Sequence, residues 1–187
     1  MDTWVWIVIG VFVAVVVLGI LVRALGTRRS RSLQDRFGPE YDRTVDASAS
    51  RRMAELDLRD REQRHSALNL QPLDPAVRER YQYRWAEMQS HFVDRPQVAV
   101  ADADSMITQL MRDLGYPVDD FETNAILISV EHANVVTKYR EGHDVYTRMV
   151  EGTASTEDLR QAVLSYRALF EELTADRVGQ ASSERSM

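Results

Sequence analysis

From Trp4 to Val22 the chain passes through nineteen positions without a charged side chain. At about 1.5 Å rise per residue such a run covers about 28 Å, close to the hydrocarbon thickness of a bilayer. The run is rich in Val and Ile, which mildly disfavour helix in water. In lipid, however, every backbone polar group must be satisfied internally, so a lone spanning segment has to be helical. Trp4 and Trp6 stand at one end, where indole rings prefer the headgroup level, and Arg23, Arg28, Arg29 and Arg31 stand at the other. Before the run the only charges are the α-amino group and Asp2. The arginine asymmetry therefore predicts a single-pass anchor over residues 1–27, with the N-terminus outside and the remainder on the cytoplasmic side of a bacterial inner membrane. A cleaved leader would need a basic n-region, a shorter apolar stretch and a small-residue cleavage site, and the pattern lacks the first two. Gly10 and Ala14 form a small-xxx-small pair of the kind that lets two helices approach closely. Such pairs are common in spans of this composition, and packing against lipid is the plainer expectation.

The anchor distorts the average composition of the chain. Setting aside Arg23, Arg28, Arg29, Arg31 and Asp2 leaves 19 basic and 28 acidic residues, a net charge of −9 on the remainder. An acidic body argues against nucleic acid as a partner, because affinity for it comes mostly from neutralising phosphates. The absence of cysteine rules out disulfide scaffolds, thiolate zinc sites and cysteine nucleophiles.

Residues 28–69 read as a juxtamembrane segment followed by a charged stalk helix. Leu33 and Phe37 are i, i+4 neighbours among arginines, which suits either an interfacial helix on anionic lipid or a plain basic flank to the anchor. Gly38-Pro39 breaks the chain. Glu40 to Ala67 then reads as one helix, alternating in sign from Arg51 to His65, with a thin apolar stripe of Val45, Ala49, Met53 and Leu56. That predicts a solvated helix held by i, i+4 charge pairs, with at most weak homo-oligomerisation through the stripe.

The compact part is expected over residues 70–174. Asp74-Pro75 starts a helix whose apolar face is Val77, Tyr81, Trp85, Met88 and Phe92. Asp94 with Gln97 reads as a cap for the next, carrying Val100, Ala103, Ile107, Leu110, Met111 and Leu114 up to Gly115. Asp119 with Glu122 opens a short helix through Phe121, Ala125 and Ile128. A longer one from about Glu131 sets Val136, Tyr139, His143, Tyr146 and Val150 on one side. Ser155 with Asp158 caps the last, whose face runs Leu159, Ala162, Val163, Tyr166, Leu169, Phe170 and Leu173. No segment alternates with period two, so the fold class is all-α: an N-terminal transmembrane helix, a charged stalk helix and a small antiparallel helical bundle. Residues 175–187, rich in Ser with Gln and Gly, form a disordered tail in this reading.

Three strings are distinctive together: LQDRFGPEYDRTV at Leu33–Val45, FVDRPQVAVADAD with GYPVDDFE between Phe92 and Glu122, and ASTEDLRQAVLSYRALFEEL at Ala154–Leu173. They resemble a family of small membrane-anchored bacterial proteins found mainly in actinobacteria. That family brings no assigned activity or catalytic residues, so the resemblance implies a bacterial inner-membrane location and no chemistry.

The residues themselves form no catalytic constellation, and no cofactor or metal is implied. A di-iron carboxylate bundle needs two inward Glu-x-x-His pairs, and only Glu62 with His65 has that spacing. Glu87 with His91 supplies two ligands at i, i+4, which reads as an ordinary helical pair. Asp102 and Asp104 point to different sides of one helix, and Asp119 is explained by capping. His143 stands out because it lies on an apolar helix face, where an imidazole can act as a switch; the commoner reading is a core histidine with a hydrogen-bond partner. Arg80, Tyr83 and Arg84 lie beside the core stripe of their helix and have the composition of an interface centre. The alternative for them is two solvated arginines paired with Glu79, Glu87 or a neighbouring helix. These features lead to a tethered, non-enzymatic interaction or scaffolding module with a protein partner. The runner-up is a membrane-bound sensor that binds a small ligand or proton near His143. A pocket of several hundred Å³ beside His143 would favour the sensor.

Overall fold

The computed structural model describes Trp4, Val17 and residues 30–175, and in these residues the chain folds entirely into helices. Residues 30–37 belong to α1, and α2 (Pro39–Ala47) and α3 (Arg51–Ser66) follow. The bundle is built from α4 (Pro75–His91), α5 (Pro96–Leu114), the short α6 (Phe121–Ile128), α7 (Ala133–Val150) and α8 (Thr156–Thr174). No helix among the described residues is long and apolar enough to cross a membrane. The run from Trp4 to Val22 lies outside the described residues except for Trp4 and Val17, and the expected tail lies outside them from residue 176 on.

The bundle has the expected four main helices and one short one, and α8 is at its centre. All seven residues of its apolar stripe are buried, with Tyr166 and Leu169 fully so. Its start is a capping box: Ser155 Oγ accepts from Asp158 N at 3.2 Å, and Ser155 N donates to Asp158 Oδ2 at 2.8 Å. The pairs Glu141–Ser165 and Arg148–Asp158 show α7 and α8 running antiparallel. Likewise Tyr81–Asp113 and Arg84–Gln109 set α4 antiparallel to α5. Trp85 of α4 stacks on Phe170 of α8 with ring centroids 4.6 Å apart. Gly115 ends α5 at φ +96°, and a Cβ there would stand 2.5 Å from the Asn69 carbonyl oxygen, so only glycine fits that turn.

Several boundaries and faces differ from expectation. Asp94 does not cap α5: the helix starts at Pro96 with Arg95 in the cap position and no side-chain cap bond, because the proline ring disfavours helical backbone at the residue before it and Arg95 stays out of the helix at φ −140°, ψ 64°. The cap of α6 is Asp120, whose carboxylate accepts from Thr123 N at 2.9 Å, one residue later than Asp119. Val150 is 70% exposed at the end of α7; Gly142 and Val145 are buried on that helix instead.

The largest departure is in residues 30–66. Leu33 (4% exposed) and Phe37 (0%) face neither lipid nor water; with Tyr41, Leu58 and Val130 they form a second small core. The charged stretch is not one stalk helix. It breaks at Ser48–Ser50, and Ser50 caps α3 by accepting from Met53 N. The face of α3 turned inward is Ala54, Leu58, Arg61 and His65, while Met53 and Leu56 of the expected stripe are 57% and 49% exposed. The reason is electrostatic: Arg61 and His65 are buried with partners from other elements, so the packed face is partly ionic.

Candidate functional site

His143 sits where four helices meet. α7 closes on α8 at Gly142, where a Cβ would stand 3.2 Å from the Tyr166 ring. That approach brings His143 to Asp104 of α5, with Nδ1 3.3 Å from Oδ1. The same carboxylate oxygen accepts from the Tyr166 hydroxyl at 2.7 Å. Phe121 of α6 stacks on the imidazole at 3.7 Å and 8°, and Tyr146 lies on the same helix with its ring centroid 5.8 Å away. The His143 side chain is 28% exposed, so the ring is half-buried, with a carboxylate at one edge and an aromatic face against it. Burial, and then the nearby Asp104 charge, hold the Tyr166 phenol far above its ordinary range; Tyr139 is raised for the same two reasons. Both phenols stay protonated at neutral pH, and Tyr166 acts as a fixed donor to Asp104. Composition could not reveal this grouping, because its members come from α5, α6, α7 and α8. His143 lines none of the main cavities among the described residues.

Arg80, Tyr83 and Arg84 lie together on the outer side of α4. Tyr83 is 73% exposed. Arg84 Nη1 donates to Gln109 of α5 at 3.1 Å, and its guanidinium lies 5.8 Å from the Tyr81 ring centroid. Arg80 and Arg84 border a shallow groove with Val77, Tyr81, Gln109 and Asp113. Neither arginine forms an ion pair with Glu79 or Glu87 among the described residues.

Two further features escaped the sequence. Glu40 of α2 is fully buried, and its Oε1 accepts from Arg43 at 3.2 Å, Arg61 at 3.1 Å and Arg140 at 3.1 Å. Arg61 also donates to Asp57 at 2.6 Å, and Arg140 to Glu122 at 2.8 Å. This network joins α2, α3 and α7. Separately, a mainly apolar cavity of about 310 Å³ lies beneath residues 70–73, lined by Leu70, Leu73, Leu114, Tyr116, His132 and Leu173. His132, just before α7, is buried at its wall with Nδ1 3.0 Å from Glu172 Oε1. Of the expected metal-spacing pairs, Glu62 instead bonds Arg36 at 3.2 Å, and His65 lies 6.0 Å from the Tyr116 ring. Glu87 and His91 border a groove with Asp102; among the described residues no group of three or more His, Asp or Glu is placed to hold a metal.

Fold and geometry thus define an all-helical bundle with a helical segment locked onto its side. Comparison of the chain with protein-family models, curated proteins and solved structures found no match.

Proposed function

We propose that the chain is a membrane-tethered interaction module, anchored through Trp4 to Val22 in a bacterial inner membrane, with its bundle on the cytoplasmic side. It works by presenting the α4 surface around Tyr83 to a protein partner. The observation that carries the reading is Tyr83 itself, 73% exposed between two arginines that form no pairs with Glu79 or Glu87. Tyr and Arg are the side chains that supply most energy at protein interfaces, because each offers large contact area and hydrogen bonds together. On an acidic body the patch suits an acidic partner surface.

The test is crosslinking in native membranes followed by identification of the partners. Each anchor of this kind contributes about 1–2 kcal/mol or more to an interface. Replacing Arg80, Tyr83 and Arg84 together by Ala should therefore lower partner recovery by at least about tenfold, with the unfolding midpoint nearly unchanged. Equal recovery from the triple variant removes the patch as an interface. A second reading, proton sensing at His143, is favoured by the half-exposed imidazole beside Asp104. In that case His143→Gln, and not the α4 variant, changes the set of partners recovered.

A further inference from the structure

The described part of α1 and the whole of α3 run side by side in the same direction. Ser30 Oγ accepts from Arg51 Nη2 at 2.6 Å and donates to Glu55, while six residues further along α1 Arg36 Nη1 meets Glu62 at 3.2 Å. The N-terminal end of α3 therefore lies beside residue 30, the end of α1 nearest the apolar run. Only positions 23–29 separate Val22 from Ser30. Whatever path they take, that distance is about 12 Å as helix and under about 30 Å fully extended. The chain length alone thus keeps the first turns of α3 within about 30 Å of residue 22.

Those turns carry an unusual surface. Met53 is 57% exposed and Leu56 is 49% exposed, two of the few large apolar side chains left in solvent among the described residues. Arg52 precedes Leu56 by one helical turn on the same face. Arg52 and, across on α1, Arg31 are exposed, and no ion pair holds either among the described residues. Arg23, Arg28 and Arg29 add positive charge nearby in the sequence. Elsewhere the protein is acidic. Asp57 and Asp60, one turn beyond Met53 and Leu56, are taken up by Arg61 and Arg64, which among the described residues leaves Arg52 as the unpaired charge beside these exposed aliphatic side chains. A free arginine beside exposed aliphatic side chains matches an anionic headgroup layer with acyl chains beneath it.

We propose that Met53 and Leu56, with Arg52 on the same helix and Arg31 on the neighbouring α1, seat on the anionic surface of the bilayer and form a second membrane contact that fixes the orientation of the bundle. The proposal rests on the reading of Trp4 to Val22 as the anchor. The surface explains why a large apolar pair remains outside the second core: its partner is lipid. It also gives the lock between α1–α3 and α7 a purpose, since a contact on α3 orients the bundle only if α3 is fixed to it.

The chain has no cysteine, so one can be introduced without background. The full-length protein in nanodiscs would carry a polarity-sensitive fluorophore at L56C or at S66C, the exposed far end of the same helix. The discs would contain phosphatidylcholine with or without phosphatidylglycerol, and a headgroup spin-labelled lipid as quencher. Leu56→Cys should be quenched several-fold more than Ser66→Cys in discs that contain phosphatidylglycerol. Arg31→Gln and Arg52→Gln should each lower the docked fraction roughly fivefold where docking is not saturated. Equal quenching at the two positions, with the chain still held in the disc, overturns the docking surface and leaves the anchor standing. Shielding of the Leu56 label in detergent without lipid means that a second copy or another protein covers the face, and also overturns it. If the chain fails to remain with the discs, the anchor reading falls and this contact falls with it.

Discussion

Tyr81 lies where α4 packs on α5, its ring buried and its hydroxyl donating to Asp113 at 2.7 Å. Burial comes first and the Asp113 bond and charge second in pushing this phenol up to about 12 from an ordinary 10. Deprotonation is therefore harder in the folded chain than in the unfolded one. The contribution to stability is complete below pH 10 and is lost as pH rises from 10 towards about 12. Urea unfolding across that interval should show falling stability, and Tyr81→Phe should flatten part of the slope at the cost of one hydrogen bond to a carboxylate, about 1.5–3 kcal/mol at neutral pH. An unchanged slope in the variant would mean that Tyr81 is not the group titrating. Tyr139 and Tyr166 are raised further still, so some slope should survive in Tyr81→Phe.

Helix α8 and helix α3 were legible to very different degrees, and the difference is physical. On α8 burial is achieved by hydrocarbon, so a 3.6-residue apolar period marks the inner face, and a Ser-x-x-Asp box marks the start. On α3 the inner face is Ala54, Leu58, Arg61 and His65, and two of those four look solvent-facing to any hydropathy argument. What buries Arg61 is Glu40, twenty-one residues earlier, and Arg140 of α7 completes the cluster. Pairing over such separations leaves no periodic trace. His143 was legible as unusual for the same reason that α8 was legible: it interrupts an apolar period. Its partners Asp104 and Phe121 were not, because only the packing of four helices brings them together. The Glu40 cluster yields an element-level prediction. Glu40→Ala leaves a guanidinium buried beside α2 with only Asp57 to offset it, a change that typically costs about 3–5 kcal/mol. Because Glu40 joins α2 and α3 to α7, the loss should fall on that contact. Amides of α2 and α3 should exchange much faster by hydrogen–deuterium exchange, and those of α5 and α8 should keep their protection. Uniform loss of protection would show that the two parts open only together.

For the molecule as a whole, the question is whether residues 30–66 are a spacer or a structural part of the domain. The apolar contacts fall into two clusters, a large one over α4–α8 and a small one of Leu33, Phe37, Tyr41, Leu58 and Val130. Four members of the small cluster come from α1–α3 and one, Val130, from the connection between α6 and α7. About forty residues with so few buried apolar side chains cannot sustain a fold alone. The bundle, by contrast, has a continuous core of its own. Comparing the fragments Ser30–Met187 and Leu70–Met187 therefore has a definite expected outcome. Both should be helical and unfold cooperatively, because both contain the large core intact. The shorter one should be less stable by at least about 2 kcal/mol, since Val130, 2% exposed in the structure, loses its cover and burying such a side chain contributes about 1.5–3 kcal/mol. It also loses the Glu40 partner of Arg140. A peptide of residues 30–69 should show little helix in isolation. If the two fragments unfold at the same denaturant concentration, or if the isolated peptide is fully helical, then α1–α3 is an independent unit. The bundle would then hang from it without fixed orientation, and contacts made by α3 could not set how the α4 surface faces its partner.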